Sequence, residues 1–386
     1  MLKFIKKLTV LLLLIPSYCA YAELMCVKIK GGFDFKAGYI KSNASEKAKP
    51  LTENQKNMAF STSAYLAVDA SNKLDSGFLY GAQIAITPTT STSRKIRSGI
   101  YMEADFGRLE LGSDQSAVTK MRISPLSIAS ASGGLWDVWV SGDPSIPYIM
   151  NYSNFLDGKM RLAGKTEFSR KITYYTPEYE GLQLGISYIP DTSNVGYGDL
   201  KHDVKHTPLS SKYTYSVRNG LGVGLTYKKD FDKNFYSKIS LVGETGKAIA
   251  TPKKGTQAPN IKPRRLKSYH VGAEITRDEY SIAASYANHL RSFSGLTDKR
   301  ADTAIYGIGG RYKKDKFSSS LTYFASIHRS NKIQAVTLAA DYKMAPGLMP
   351  YAEATYFQAK GSEIDNPDSK ANHKGNLFLI GTKIEF

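Results

Sequence analysis

The chain has 386 residues and a formal net charge of +18, with 52 Lys and Arg against 34 Asp and Glu. Its mean hydropathy is −0.32, and past residue 22 no apolar run nears the roughly 18 residues a spanning helix needs, which excludes a helical membrane protein. Of two cysteines one, Cys19, lies in the leader, so Cys26 alone remains and a disulfide framework is excluded.

Residues 1–22 read as a secretory signal peptide. Lys3, Lys6 and Lys7 form a basic start, residues 8–15 an apolar stretch too short to cross a bilayer, and Ala20-Tyr21-Ala22 a small-x-small cleavage site. Tyr18 stands before Cys19 where lipid attachment needs a small residue, which argues against a lipoprotein. Removing three lysines and no acids lowers the charge from +18 to +15. Such a basic soluble protein would suggest nucleic acid. Export argues against that partner and leaves anionic surfaces or solutes.

Residues 23–386 carry one texture, segments of about ten residues with period-two alternation, and form one predicted domain. The first predicted strand is 27–39, with Phe33, Phe35, Ala37 and Tyr39 on one face and Lys28, Lys30, Asp34 and Lys36 on the other. Strands 60–70 and 76–86 follow, turned by Asn72-Lys73-Leu74-Asp75, then 96–104 and 108–113, turned by Asp105-Phe106-Gly107.

Residues 114–167 are too long for a turn and too apolar for a disordered tail. Leu135, Trp136, Val138 and Trp139 are among their apolar residues, and both tryptophans of the chain lie here. A loop of this length needs a function or a place to pack, and the lumen of a wide barrel supplies the place. The expectation is a loop folded inward that narrows a pore.

Beyond it come 168–176 with 182–189, 221–229 with 235–244, 266–276 with 280–289, 303–313 with 317–327, and 333–343 with 351–359. The last strand, 375–386, places Phe378, Ile380, Thr382, Ile384 and Phe386 on one face. Termini usually fray. A closed barrel, however, needs its last strand to pair with its first. The count is about sixteen, an even number, with short turns alternating with long links. The predicted fold is an all-β transmembrane antiparallel barrel, apolar outside and wet within. The 26 tyrosines suit its interface girdles. A soluble sandwich would need turns of similar length at both ends, which the chain lacks.

Four stretches, in order, carry a family likeness: FGRLELGSDQSAVTKMRISPLSIASASGG, RKITYYTPEYEGLQLGISYIPDT, Ala345-Pro346-Gly347-Leu348 and LFLIGTKIEF. They resemble the approach to the third loop, the next hairpin, the last turn and the closing strand of Gram-negative outer-membrane porins, most of all the alphaproteobacterial porins. The resemblance implies a sixteen-stranded homotrimer that passes small hydrophilic solutes by diffusion. It also implies that the strand ending at Phe386 is recognised by the barrel-assembly machinery. In place of the family's acidic Gly-Asp-rich loop tip, this chain reads GGLWDVWVSGDPS, where Asp137 and Asp143 are the only acids.

Register assigns the lumen. With Leu109 and Leu111 outward, Arg108 and Glu110 point in; Arg97, Tyr101 and Glu103 point in from the strand before; Lys171 and Thr173 point in if Ile172 and Tyr174 face lipid. A lysine or arginine on the lipid face at mid-membrane would cost about 2–4 kcal/mol, which supports this register. The expected pore lining is therefore Lys36, Arg97, Arg108, Glu110 and Lys171, opposed by Asp137 and Asp143. The charge of +15 predicts mild anion preference, and outer-membrane lipid and lipopolysaccharide are the expected surroundings. A substrate-specific porin and a loop-mediated adhesin or receptor barrel are the neighbouring readings. An enzyme barrel is the most distant: His270 and Glu274 share a face, but no matched nucleophile motif accompanies them, and His202 and His206 lie in a Pro-containing loop. No catalytic residue, metal or cofactor is expected.

Overall fold

The computed structural model describes residues 25–42, 58–87, 95–131, 169–192, 213–252, 262–292, 303–328, 331–362 and 370–386. They form strands β1 Cys26–Ser42, β2 Met58–Lys73, β3 Leu79–Thr87, β4 Lys95–Ala104, β5 Gly107–Ser113, β6 Lys171–Tyr175, β7 Leu182–Asp191 and β8 Tyr213–Asp232. The second half holds β9 Phe235–Pro252, β10 Leu266–Arg277, β11 Tyr280–Leu290, β12 Thr303–Lys314, β13 Phe317–His328, β14 Asn331–Tyr342, β15 Leu348–Ser362 and β16 Lys370–Glu385. Every strand pairs antiparallel with its chain neighbours, and β1 closes on β16 to complete a sixteen-stranded barrel. Closure leaves no strand edge unpaired, which a lipid phase demands.

Two faces follow from the alternation. On β16, Ile380 is 69% exposed while its neighbour Leu379 is 1% exposed. Phe33, Phe35, Tyr39, Phe378 and Phe386 lie on the same outward surface, and β10 alternates without a break from Leu266 to Arg277. The exposed apolar surface is the face a bilayer covers.

Several strands outrun their apolar pattern. β8 has 20 residues and β9 has 18, where alternation marks only 221–229 and 235–244. Past the apolar band the outward positions become Arg218 and Lys247, so hydrophobicity stops while the backbone ladder continues. The β2–β3 turn falls between Lys73 and Leu79 rather than at 72–75, because Gly77, at φ +84°, supplies the left-handed residue.

The interior is not wet throughout. Val217, Val242, Leu266, Ile305, Phe324, Ile333, Phe357 and Leu377 point inward from the outer halves of β8 to β16 and are buried. The densest cluster of charges lies on the other side, on β2 and β4 to β6, with Asp34 and Lys36 on β1.

Candidate pore lining

At Asp114 the chain leaves β5 and turns into the barrel. A single helical turn, α1 Ala117–Lys120, and a 3-10 turn, Pro125–Ser127, follow. The wall catches this segment by its peptide groups. Ala117 N–H donates to Ser187 Oγ on β7 (2.8 Å), and Ile123 N–H to Ser240 Oγ on β9 (3.0 Å). Ser130 N–H donates to Ser320 Oγ on β13 (2.8 Å), and Ala131 N–H to the Asp341 carboxylate on β14 (2.7 Å). The Ala131 carbonyl accepts from Lys383 Nζ on β16. Residues 114–131 thus run along the inner wall from β5 to the β14–β16 side.

Small inward residues make room for this path. A Cβ on Gly222 would come within 2.8 Å of Val118, one on Gly224 within 2.8 Å of Met121, and one on Gly272 would strike the Ile123 carbonyl. Sequence reading missed this track of glycines and serines. Its signal is present, since Gly185, Ser187, Gly222, Gly224, Ser240 and Gly272 are small inward residues on β7 to β10 where a self-filling barrel would carry bulk. The remainder of the 114–167 loop, with Asp137 and Asp143, lies outside the described residues.

Beside the start of the loop, Arg97, Arg108, Glu110 and Lys171 come together on β4, β5 and β6. Arg108 donates to Glu103 (2.9 Å) and to Glu110 (2.8 Å), and its guanidinium sits 4.3 Å from the centre of the Tyr101 ring. Tyr101 in turn donates to Asp69 (3.0 Å). Lys120 reaches Glu110 (2.6 Å) and Asp114 (2.7 Å), Arg97 approaches Asp114 at 3.8 Å, and Lys171 donates to the Asp114 carbonyl. Burial pushes the Asp114 carboxyl up, but Lys120, then the Gln115 N–H and Arg97, outweigh it and hold the group below the usual carboxylate range.

The fourth predicted cation stands apart. Lys36 on β1 is buried beside Asp34 (2.9 Å), which also accepts from Tyr351 on β15 (2.6 Å). Sequence reading missed Asp114 and Lys120, since both follow the last strand residue of β5 and fall outside any alternation. The cations Arg97, Arg108 and Lys120 therefore meet carboxylates on their own wall, those of Glu103, Glu110 and Asp114, while Lys171 is held by the Asp114 carbonyl and Asp69 by Tyr101. Such an array orders water and grips dipolar solutes.

Glu274 faces inward from β10, but it accepts from Ser127 (3.3 Å) and Tyr236 (3.1 Å) and so helps to seat the loop. Among the described residues no His, Cys, Asp and Glu group could hold a metal.

A closed barrel with an apolar outer surface, a charged inner wall and a loop laid across its inside is a channel-type membrane barrel. The model of the Gram-negative porins matches residues 8–362, and the chain belongs to that family. Uncharacterised proteins of Rickettsia felis and Rickettsia conorii are each 30% identical, over 93% of this chain and 92% of theirs. Among solved structures, the anion-selective porin from Comamonas acidovorans superposes with a TM-score of 0.62 at 15% identity, covering 94% of this chain and 100% of that one. A mutant of the Rh. blastica porin superposes with a TM-score of 0.54 at 14% identity and the same coverage.

Proposed function

We propose that the mature chain, 23–386 after removal of the 1–22 signal peptide, is a trimeric outer-membrane pore for passive diffusion of ions and small hydrophilic solutes. The observation that carries this reading is the charged wall of Arg97, Arg108, Lys120 and Lys171, which lies inside a closed barrel beside a loop that enters the lumen. Lys36, Arg97, Arg108, Glu110 and Lys171 line the path, and loop 114–167, with Asp137 and Asp143, narrows it. The paired charges largely cancel locally, so the ion preference is set by the surplus of +15 and is mildly anionic. The strand ending at Phe386 engages the barrel-assembly machinery, and lipopolysaccharide and outer-membrane lipid surround the barrel. No cofactor, metal or nucleic acid enters this reading.

Reconstitution into a planar bilayer tests it. Stepwise conductance and a reversal potential of anionic sign under a KCl gradient are the expected record. Silence in the bilayer would defeat the pore, and a cationic sign would defeat the preference.

A further inference from the structure

Arg97 and Arg108 face the lumen and each meets a carboxylate. Arg311 on β12 faces it too, between Ser281 on β11 and Ser320 on β13, its direct cross-strand partners and both buried. Among the described residues its side chain meets no carboxylate. Its Nη2 donates to Ser281 Oγ (3.1 Å), and its Nε is buried with no hydrogen-bond partner. Ser281 is 2% exposed, and its Oγ accepts from Thr276 Oγ1 (2.9 Å) as well, so its own proton has no acceptor among the described residues. A buried donor without an acceptor forfeits the bonds that water gave it, and a guanidinium drawn off water also wants a counter-charge. The Arg311 Nε–H and the Ser281 O–H, on adjacent strands, therefore define a place for an acceptor that is an anion.

The carboxylates around Arg311 are engaged elsewhere. Asp341 accepts from Ala131 N–H (2.7 Å), and Glu274 from Ser127 (3.3 Å) and Tyr236 (3.1 Å). In the row nearer the short β12–β13 turn, Lys313 stands between Glu279, whose carbonyl accepts from its N–H, and Asp341, which lies beyond Ser318. Lys313 is exposed and offsets these two acids together with Lys383, which holds the carbonyl of the residue whose N–H Asp341 accepts. The Pro125–Ser127 turn of the loop start roofs the place. A Cβ on Gly309, two residues before Arg311 on the same face, would come within 3.2 Å of Pro125. Arg311 thus lies directly on the short-turn side of the loop start.

We propose that Arg311 and Ser281 form an oxyanion-binding step in the pore, which favours solutes carrying a phosphate or carboxylate over halide ions. The planar guanidinium gives two parallel hydrogen bonds to one such group, a geometry a spherical halide does not match. Ser281 donates a third bond, and the Thr276 hydroxyl, by donating to Ser281 Oγ, leaves the serine proton free for it. Lys313 adds positive charge on the short-turn side. The site deepens the pore reading above, whose solutes it narrows to small anions with oxygen-bearing heads, and it rests on that reading.

The test titrates inorganic phosphate into constant KCl while single channels of the mature protein are recorded, with bromide at equal ionic strength as the halide control. Phosphate should lower the wild-type conductance saturably, and bromide should not. Arg311→Gln should raise the half-blocking phosphate concentration about tenfold or more, and Ser281→Ala about threefold. Arg311→Lys keeps the charge without the fork and should fall between wild type and Arg311→Gln. Equal block of wild type and Arg311→Gln would overturn the site, and so would a wild type with no saturable block, which would leave water alone on Arg311. Equal block of wild type and Arg311→Lys would overturn it too, by reducing the site to a diffuse positive field. Line broadening of the phosphate 31P signal by wild type and Arg311→Gln in a sugar-headgroup detergent is read separately. A silent bilayer would defeat the pore reading, while the difference in broadening would still decide the site.

Discussion

Glu110 holds two cations at once, Arg108 at 2.8 Å and Lys120 at 2.6 Å. Replacing it with Gln leaves both partners with one carboxylate each and adds a unit of positive charge to the wall. A unit charge about 4 Å from a passing ion is worth about 1 kcal/mol in water-like surroundings. Glu110→Gln should therefore raise the chloride-to-potassium permeability ratio about fivefold, and Arg108→Gln should lower it by a similar factor, both read as reversal potentials. Asp114 makes a pH prediction. Its folded pKa is depressed, so the stability it contributes is in place above the ordinary aspartate value, about 3.9, and is lost as pH falls through the lower folded value. Channel noise and the urea midpoint should stay level from pH 7 to about 4 and worsen only below. Asp114→Asn should show the acid behaviour at every pH.

Between β5 and β16 the loop start depends on small wall residues, which makes two elements testable. Gly272→Val drives a side chain into the Ile123 carbonyl, and overpacking of this kind costs about 1–3 kcal/mol. Ser240→Ala leaves the buried Ile123 N–H without its acceptor, at about 1–3 kcal/mol. Both variants should still migrate as heat-modifiable barrels, with a lower urea midpoint and altered single-channel conductance. The strands themselves were legible in the sequence because lipid imposes period-two hydrophobicity on one face, which located all sixteen. Their ends were less legible. β8 and β9 continue into water, where the ladder persists without an apolar face to mark it. The lumen side of Arg97, Arg108, Glu110 and Lys171 followed from the same alternation. The partnership with Asp114 and Lys120 did not, because it depends on where an irregular segment comes to rest.

For the whole molecule, closure is concentrated at one seam. Phe386 exchanges two backbone hydrogen bonds with Gly31, at 2.9 and 3.0 Å, and its ring covers the bare Cα of that glycine. Deleting Phe386 should lower the temperature at which the barrel loses heat-modifiable mobility, and Gly31→Val should lower it too by displacing the ring. Equal melting of all three proteins would remove the seam from the account. The loop start has a mechanical meaning at this scale. It is fastened at Ser187, Ser240, Ser320 and Asp341, so it ties distant staves of one cylinder together like an internal hoop. A tube of this width, squeezed by lateral pressure in the bilayer, would flatten along its softer axis. The hoop resists that ovalisation, and the bore can keep its shape while the surrounding lipid changes thickness or tension.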